Sequence, residues 1–100
     1  MTNNIKKENN NVIKVSSKSP VQQTSGCLIK SFGQKNYANT VEMRAIGASS
    51  VNQMLKATAI ARGVLASKGY DLILRPSFDG GLIEGEQRTV FVVRASLLKQ

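Results

Sequence analysis

Val12-Ile13-Lys14-Val15-Ser16 is a short β-branched run and predicts a first strand. Ser19 before Pro20 then offers a hydroxyl N-cap followed by proline at the first helical position, a good helix start. From about Pro20 to Gln34 the apolar positions Val21, Leu28 and Phe32 repeat at helical spacing, with Thr24 and Ser25 between them. Gly26 and Gly33 weaken that first helix, by about 1 kcal/mol each if interior. Asn36-Tyr37-Ala38-Asn39 reads as a loop. Thr40 to Ile46 alternates, with Val41, Met43 and Ala45 on one face and Glu42, Arg44 and Ile46 on the other, the pattern of a half-buried second strand.

Gly47-Ala48-Ser49-Ser50 ends this strand and offers caps for the clearest helix, Val51 to Ser67, which Lys68-Gly69 stops. Its apolar stripe is wide (Val51, Met54, Leu55, Ala59, Ile60, Val64, Leu65), which predicts burial against a sheet and against a second helix or subunit. Tyr70 to Phe78 predicts a third strand, with Pro76 forcing that end to a sheet edge or a bulge. Arg88 to Ala95 predicts a fourth. Residues 78 to 88, with Asp79-Gly80-Gly81 and Glu84-Gly85-Glu86, read as a long hairpin connection that projects as an arm. The order β-α-β-α-β-β predicts an α+β two-layer α/β sandwich. It has one four-stranded mixed sheet, two helices on one face and the other face open.

The chain has 100 residues, which suits one domain. Residues 1 to 11 are polar and Asn-rich and are expected to be a disordered tail, leaving 12 to 97 as the domain. So small a core would gain from pairing with another copy. With no His and one Cys, the chain lacks the means for a His-dependent triad, His metal ligands, a zinc ribbon or an intrachain disulfide. Cys27 reads as a small core residue, and a single thiol fits a reducing, cytoplasmic setting. No apolar run is long enough to span a membrane or serve as a secretion signal.

Net charge is +8, and it is concentrated. Residues 12 to 68 hold eight basic groups against one acid, Glu42, whereas residues 69 to 100 balance four against four. A confined excess of this kind suits a polyanion, though a solubilising lysine coat has the same composition. Lys18 sits in the polar loop Ser16-Ser17-Lys18-Ser19 at the positive end of the first helix, where hydroxyls and free amides could help it meet phosphate. Asn52 and Lys56 are four apart and share a helix face, and Arg44 occupies an outward position on the second strand. Each of these could equally be a solvated surface group, and the set carries more weight than any member. Glu84 and Glu86 read as solvated turn residues, and Ser49-Ser50 as a cap more than an anion site. No catalytic residue, metal site or cofactor is expected, and the chain is not read as an enzyme.

The run from Arg44 to Gly63, Arg44-Ala45-Ile46-Gly47-Ala48-Ser49-Ser50-Val51-Asn52-Gln53-Met54-Leu55-Lys56-Ala57-Thr58-Ala59-Ile60-Ala61-Arg62-Gly63, resembles the stage V sporulation protein S family. That family typically reads AIGAGALNQAVKAVAIARG here. Lys14-Val15-Ser16-Ser17-Lys18-Ser19 is similar to its KVSAKS opening, and Asp71-Leu72-Ile73, Pro76-Ser77-Phe78 and Ile83 to Thr89 match as well. The resemblance covers roughly residues 12 to 95. It implies a bacterial sporulation role, past an early septum stage and in coat assembly. It also implies a fold like that of Alba, the dimeric archaeal chromatin protein that binds DNA and RNA.

In Alba proteins the loop after strand one, the end of strand two and the last hairpin touch nucleic acid, which implies Lys18 and Arg88 here. The positions where Alba has arginines flanking the glycine after strand two are Ile46 and Ala48, and the hairpin from Asp79 to Arg88 holds three acids and one Arg. The expected function is therefore non-sequence-specific DNA or RNA binding, as a homodimer or higher homo-oligomer. The expected surface is Lys14, Lys18, Arg44, Asn52, Lys56 and Arg88. The rival reading is a dimeric protein-interaction module that recruits a protein partner without touching nucleic acid.

Overall fold

The computed structural model describes residues 12–33, 40–83 and 86–100, with 81–83 and 86–88 described by backbone alone. The expected tail, the Asn36–Asn39 loop and Glu84 lie outside the described residues. The elements follow the expected order: β1 (Val12–Val15), α1 (Val21–Phe32), β2 (Thr40–Ile46), α2 (Ala48–Ala66), β3 (Tyr70–Ile83) and β4 (Glu86–Lys99). They form an α+β layer pair with one mixed four-stranded sheet, ordered β1-β2-β4-β3. β1 runs parallel to β2, and β4 pairs antiparallel with both β2 and β3. Pro76 falls on β3, the edge strand, where a missing N–H leaves no gap in an inner ladder.

Strand alternation sorts the sheet into two faces. Ile13, Met43, Val93 and Pro76 lie in one cross-strand row, and Val15, Ala45, Phe91 and Phe78 in another. These rows face the helices. The core joins Val15, Val41, Met43, Ala45, Leu72, Val93 and Ala95 of the sheet to Leu28 of α1 and Met54, Ala61 and Leu65 of α2. α1 also buries polar residues: the Thr24 hydroxyl donates to the Pro20 carbonyl at 2.9 Å and the Ser31 hydroxyl to the Cys27 carbonyl at 2.9 Å, so neither is left unpaired.

Several local expectations need correction. Ser19 does not cap α1; the cap position is Pro20, with no side-chain cap bond, and the Ser19 hydroxyl instead accepts from the Ser16 N–H at 2.8 Å. α2 begins a turn earlier than its apolar stripe suggests. Its N-cap is Gly47 at φ 92°, and Ser49 and Ser50 fall inside the first turn. The stripe also divides: Met54 and Leu65 are buried, while Leu55 and Val64 are 50% and 39% exposed. Ala57 and Ala61 take the inner positions instead, where a small side chain lets the helix approach the sheet and α1 closely. Cys27 is exposed and is no core residue.

The arm is strand, not loop. β3 continues to Ile83 and β4 starts at Glu86, while the β2 ladder stops at Ile46 opposite Val90. The glycines at 80 and 81 pair with Thr89 and Arg88 as part of the ribbon. Gly69, at φ 90°, ends α2 as expected, with its N–H on the Ala66 carbonyl at 3.0 Å.

The division of the α2 stripe sets up a contrast. Met54→Ala should cost about 2–5 kcal/mol of stability, and Leu55→Ala no more than about 0.5 kcal/mol. Urea midpoints of the two variants check this. A Leu55→Ala loss as large as that of Met54→Ala, growing on dilution, would mean that a second chain covers Leu55.

Candidate nucleic-acid interface

The loop after β1 is a closed structure. The Ser19 N–H donates to the Ser16 carbonyl at 3.1 Å, the Ser16 N–H donates to the Ser19 hydroxyl at 2.8 Å, and the Lys18 N–H donates to the Ser16 hydroxyl at 3.1 Å. Two short hydroxyl side chains thus replace the water that an open loop would bind. Lys18 is carried exposed at the tip. The loop is tied to α2, because the Gln53 side-chain amide donates to the Ser19 carbonyl at 2.9 Å. Lys56, three positions after Gln53, is exposed on the neighbouring turn, and Asn52 is exposed one turn before Lys56. Gln53 is the structural residue that sequence reasoning missed. Its signal was present in the resemblance, where the family pattern also has glutamine, but its contact partner lies 34 residues away.

Lys14 and Arg44 are cross-strand partners on β1 and β2, on the open face of the sheet. Both line a concavity of about 400 Å³ at the carboxyl ends of these strands, together with Ser16, Ile46, Ser50 and Val90. Their electrostatic states differ. Arg44 donates to Glu42 at 2.6 Å and reaches across β4 to Asp79 at 3.2 Å. The Glu42 hydrogen bond is the main influence holding its guanidinium above its ordinary pKa, with desolvation opposing and Asp79 adding to the rise. Arg94 approaches the other Glu42 oxygen at 3.5 Å. Val92, which lies between Arg44 and Ser77 in the cross-strand row, is only 3% exposed beneath this polar layer. Arg44 is therefore largely spent on carboxylates, whereas no ion pair engages Lys14, Lys18 or Lys56 among the described residues.

The other nominated group, Arg88, has its backbone opposite Gly81 on β4, two residues beyond Val90; its side chain lies outside the described residues. Arg75 and Arg94, cross-strand neighbours on the open face, were also missed, because their region is neutral in sum and only the register puts Arg94 opposite Glu42, one row from Arg44. Among the described residues no group of three or more metal-capable side chains occurs, and no helix is long and apolar enough to cross a membrane.

A mixed sheet of this order with both helices on one face is the Alba-like arrangement. Alba from Thermoplasma volcanium superposes with a TM-score of 0.58 over 88% of this chain and 99% of that one, at 18% identity, a likeness of fold. The Stage V sporulation protein S (SpoVS) family model matches residues 11–97, and the chain belongs to that family.

Ser19→Ala should open the loop while leaving the fold in place. The Ser16 amide should then exchange with solvent up to about tenfold faster, the equivalent of one net hydrogen bond. Hydrogen exchange read by NMR checks this, and an unchanged Ser16 rate would show that the hydroxyl does not hold the loop.

Proposed function

We propose that this protein binds DNA or RNA without sequence specificity and acts through that binding in sporulation or a related developmental programme. The observation that carries the reading is the rigid joint between the β1–α1 loop and α2. Gln53 fixes Lys18 relative to the face that bears Lys56, and neither lysine has a carboxylate partner among the described residues. Positively charged groups held in fixed relation, with no acid in the first turn of α2, suit a phosphate backbone. The resemblance to Alba proteins supports the same surface. Lys14 extends it onto the open sheet face and Arg88 onto the hairpin, and Asn52 adds a neutral donor.

Arg44 contributes position more than charge. If Lys14, Lys18, Lys56 and Arg88 neutralise about four phosphates, log affinity falls against log salt with a slope of about −3.6 on duplex and about −2.8 on single strands. Among the described residues the one aromatic pair is Phe78 with Phe91, at 4.9 Å between ring centres, and no row of stacking rings follows a groove.

A second reading has its own support. Leu55, Val64, Phe78 and Leu98 are large apolar side chains between 39% and 68% exposed, and Leu55 and Val64 stand on the same helix. Pairing of two copies would cover part of this apolar surface, and a dimer is compatible with either function. A protein-interaction module would use the same surface for a different chain.

Fluorescence anisotropy with labelled duplex DNA, single-stranded DNA and RNA, at low and physiological salt, tests the main reading. Lys18→Glu with Lys56→Glu should remove most affinity, at least tenfold, and flatten the salt slope. Unchanged affinity in the double variant would sink this surface, and no binding at low salt would leave the interaction module as the function.

A further inference from the structure

The concavity between Lys14, Ser16, Arg44 and the head of α2 is more than a patch of basic surface. Its volume of about 400 Å³ falls within the range of about 300–1,000 Å³ usual for small-molecule sites. It has two chemically distinct ends. One end is lined by Lys14 and Ser16 of the β1 side and by Ser50 of the first turn of α2. The amides of Ala48, Ser49 and Ser50 have no acceptor within the helix, since the first helical bond is Val51 N–H to the Gly47 carbonyl at 3.1 Å. The cap residue is glycine, so no side chain occupies them, and the first turn holds no acid.

A second observation concerns a side chain and not the helix amides. Ser50 is 6% exposed, lines the concavity, and has no hydrogen-bond partner for its hydroxyl among the described residues. A buried hydroxyl without a partner is destabilising, and a ligand oxygen in the concavity would satisfy it. The other end is apolar. Ile46 and Val90 form it, beside Arg44, whose guanidinium is immobilised by Glu42 and Asp79. A guanidinium neutralised in this way offers a flat face on which an aromatic ring stacks, while its charge is already matched.

We propose that this concavity is a binding pocket for one nucleoside 5′-phosphate. The phosphate sits among Lys14, Ser50 and the α2 amides, and the base lies against Ile46, Val90 and the Arg44 plane. A phosphate alone leaves the apolar end unused, and a base inside a duplex cannot enter. The ligand is therefore either a free mononucleotide or an unpaired nucleotide at a strand's phosphorylated end. The second source rests on the nucleic-acid reading above; the first does not.

The test is an NMR titration of the full chain with AMP, adenosine and inorganic phosphate, following the amides of Ser49, Ser50 and Val51. AMP is expected to shift them saturably with a Kd below about 1 mM, and at least about tenfold more tightly than phosphate or adenosine alone. Ser50→Ala, which removes only the hydroxyl, should weaken AMP several-fold, and Ile46→Glu, at a 37% exposed position, should abolish it without unfolding the chain.

The Lys18→Glu, Lys56→Glu protein should keep AMP binding while losing affinity for nucleic acid, which separates the pocket from the surface. A 5′-phosphorylated oligonucleotide that binds better than its unphosphorylated twin identifies the strand end as the source, and equality of the two identifies the free nucleotide. Absence of saturable shifts with AMP, phosphate as good a ligand as AMP, or an Ile46→Glu protein that binds AMP normally would each overturn the pocket.

Discussion

The arrangement depends on a single residue between β2 and α2. Gly47 turns the chain at φ 92°, a conformation that a residue with a Cβ adopts only under strain. Nothing lies within 4 Å of where that Cβ would stand, so the constraint is conformational and not one of space. Because the junction is one residue long, α2 starts at the carboxyl end of the sheet and returns along it. Met54, Ala61 and Leu65 thereby join the core on the apolar face of the sheet, and Ser50 of the first turn lines one concavity with Lys14 and Ser16. A longer, looser connection would let α2 slide and separate Gln53 from the loop it holds. Fold and candidate site therefore share one backbone constraint.

Much of this was legible along the chain wherever a short-range pattern decides the outcome. The alternation from Thr40 to Ile46 assigns Val41, Met43 and Ala45 to the core and Glu42 and Arg44 to the other face, because a strand has no third option. What was not legible depended on partners distant in sequence. Asp79-Gly80-Gly81 has the composition of a turn, yet it pairs as strand, since β4 supplies a continuous ladder that local propensity cannot report. The apolar stripe of α2 shows that the helix is amphipathic, but alanines and not the larger residues face inward at 57 and 61, because α1 packs close. Ser19 carries the chemistry of an N-cap and was taken instead by the Ser16 turn, a competition between two local bonds of similar strength. For the site, Lys18 and Lys56 were recognisable as surface charges, while the Gln53 contact that relates them was not.

Electrostatics shows the same division between count and arrangement. Glu42 is the one acid among residues 12 to 68, and it sits where Arg44 and Arg94 both reach it. Asp79, from the region that balances to zero, takes the rest of Arg44. Arg44, counted as available charge, is thus engaged with carboxylates on the open face of the sheet, as is Arg94, and both lie over the buried Val92. Each such pair at a half-exposed position contributes little stability on its own. Its larger effect is to move the free positive potential off the middle of the sheet and toward its β1 edge, where Lys14 and Lys18 stand beside the head of α2.

That displacement gives the residues around Gly47 a meaning that charge counting misses. The Alba pattern has arginines at the positions of Ile46 and Ala48, and their loss looks at first like a loss of binding. In this chain the apolar Ile46 instead lines a concavity together with Val90, Lys14 and Ser50, whose hydroxyl has no hydrogen-bond partner among the described residues. An arginine at 46 would compete with Lys14 for the same anion and would fill the space that an apolar ring needs. Isoleucine leaves the anion to Lys14 and the helix amides and gives the rest of a ligand somewhere to be desolvated. In the proposed pocket, then, the residue before Gly47 decides what the site can hold, while the glycine itself decides only the path of the chain.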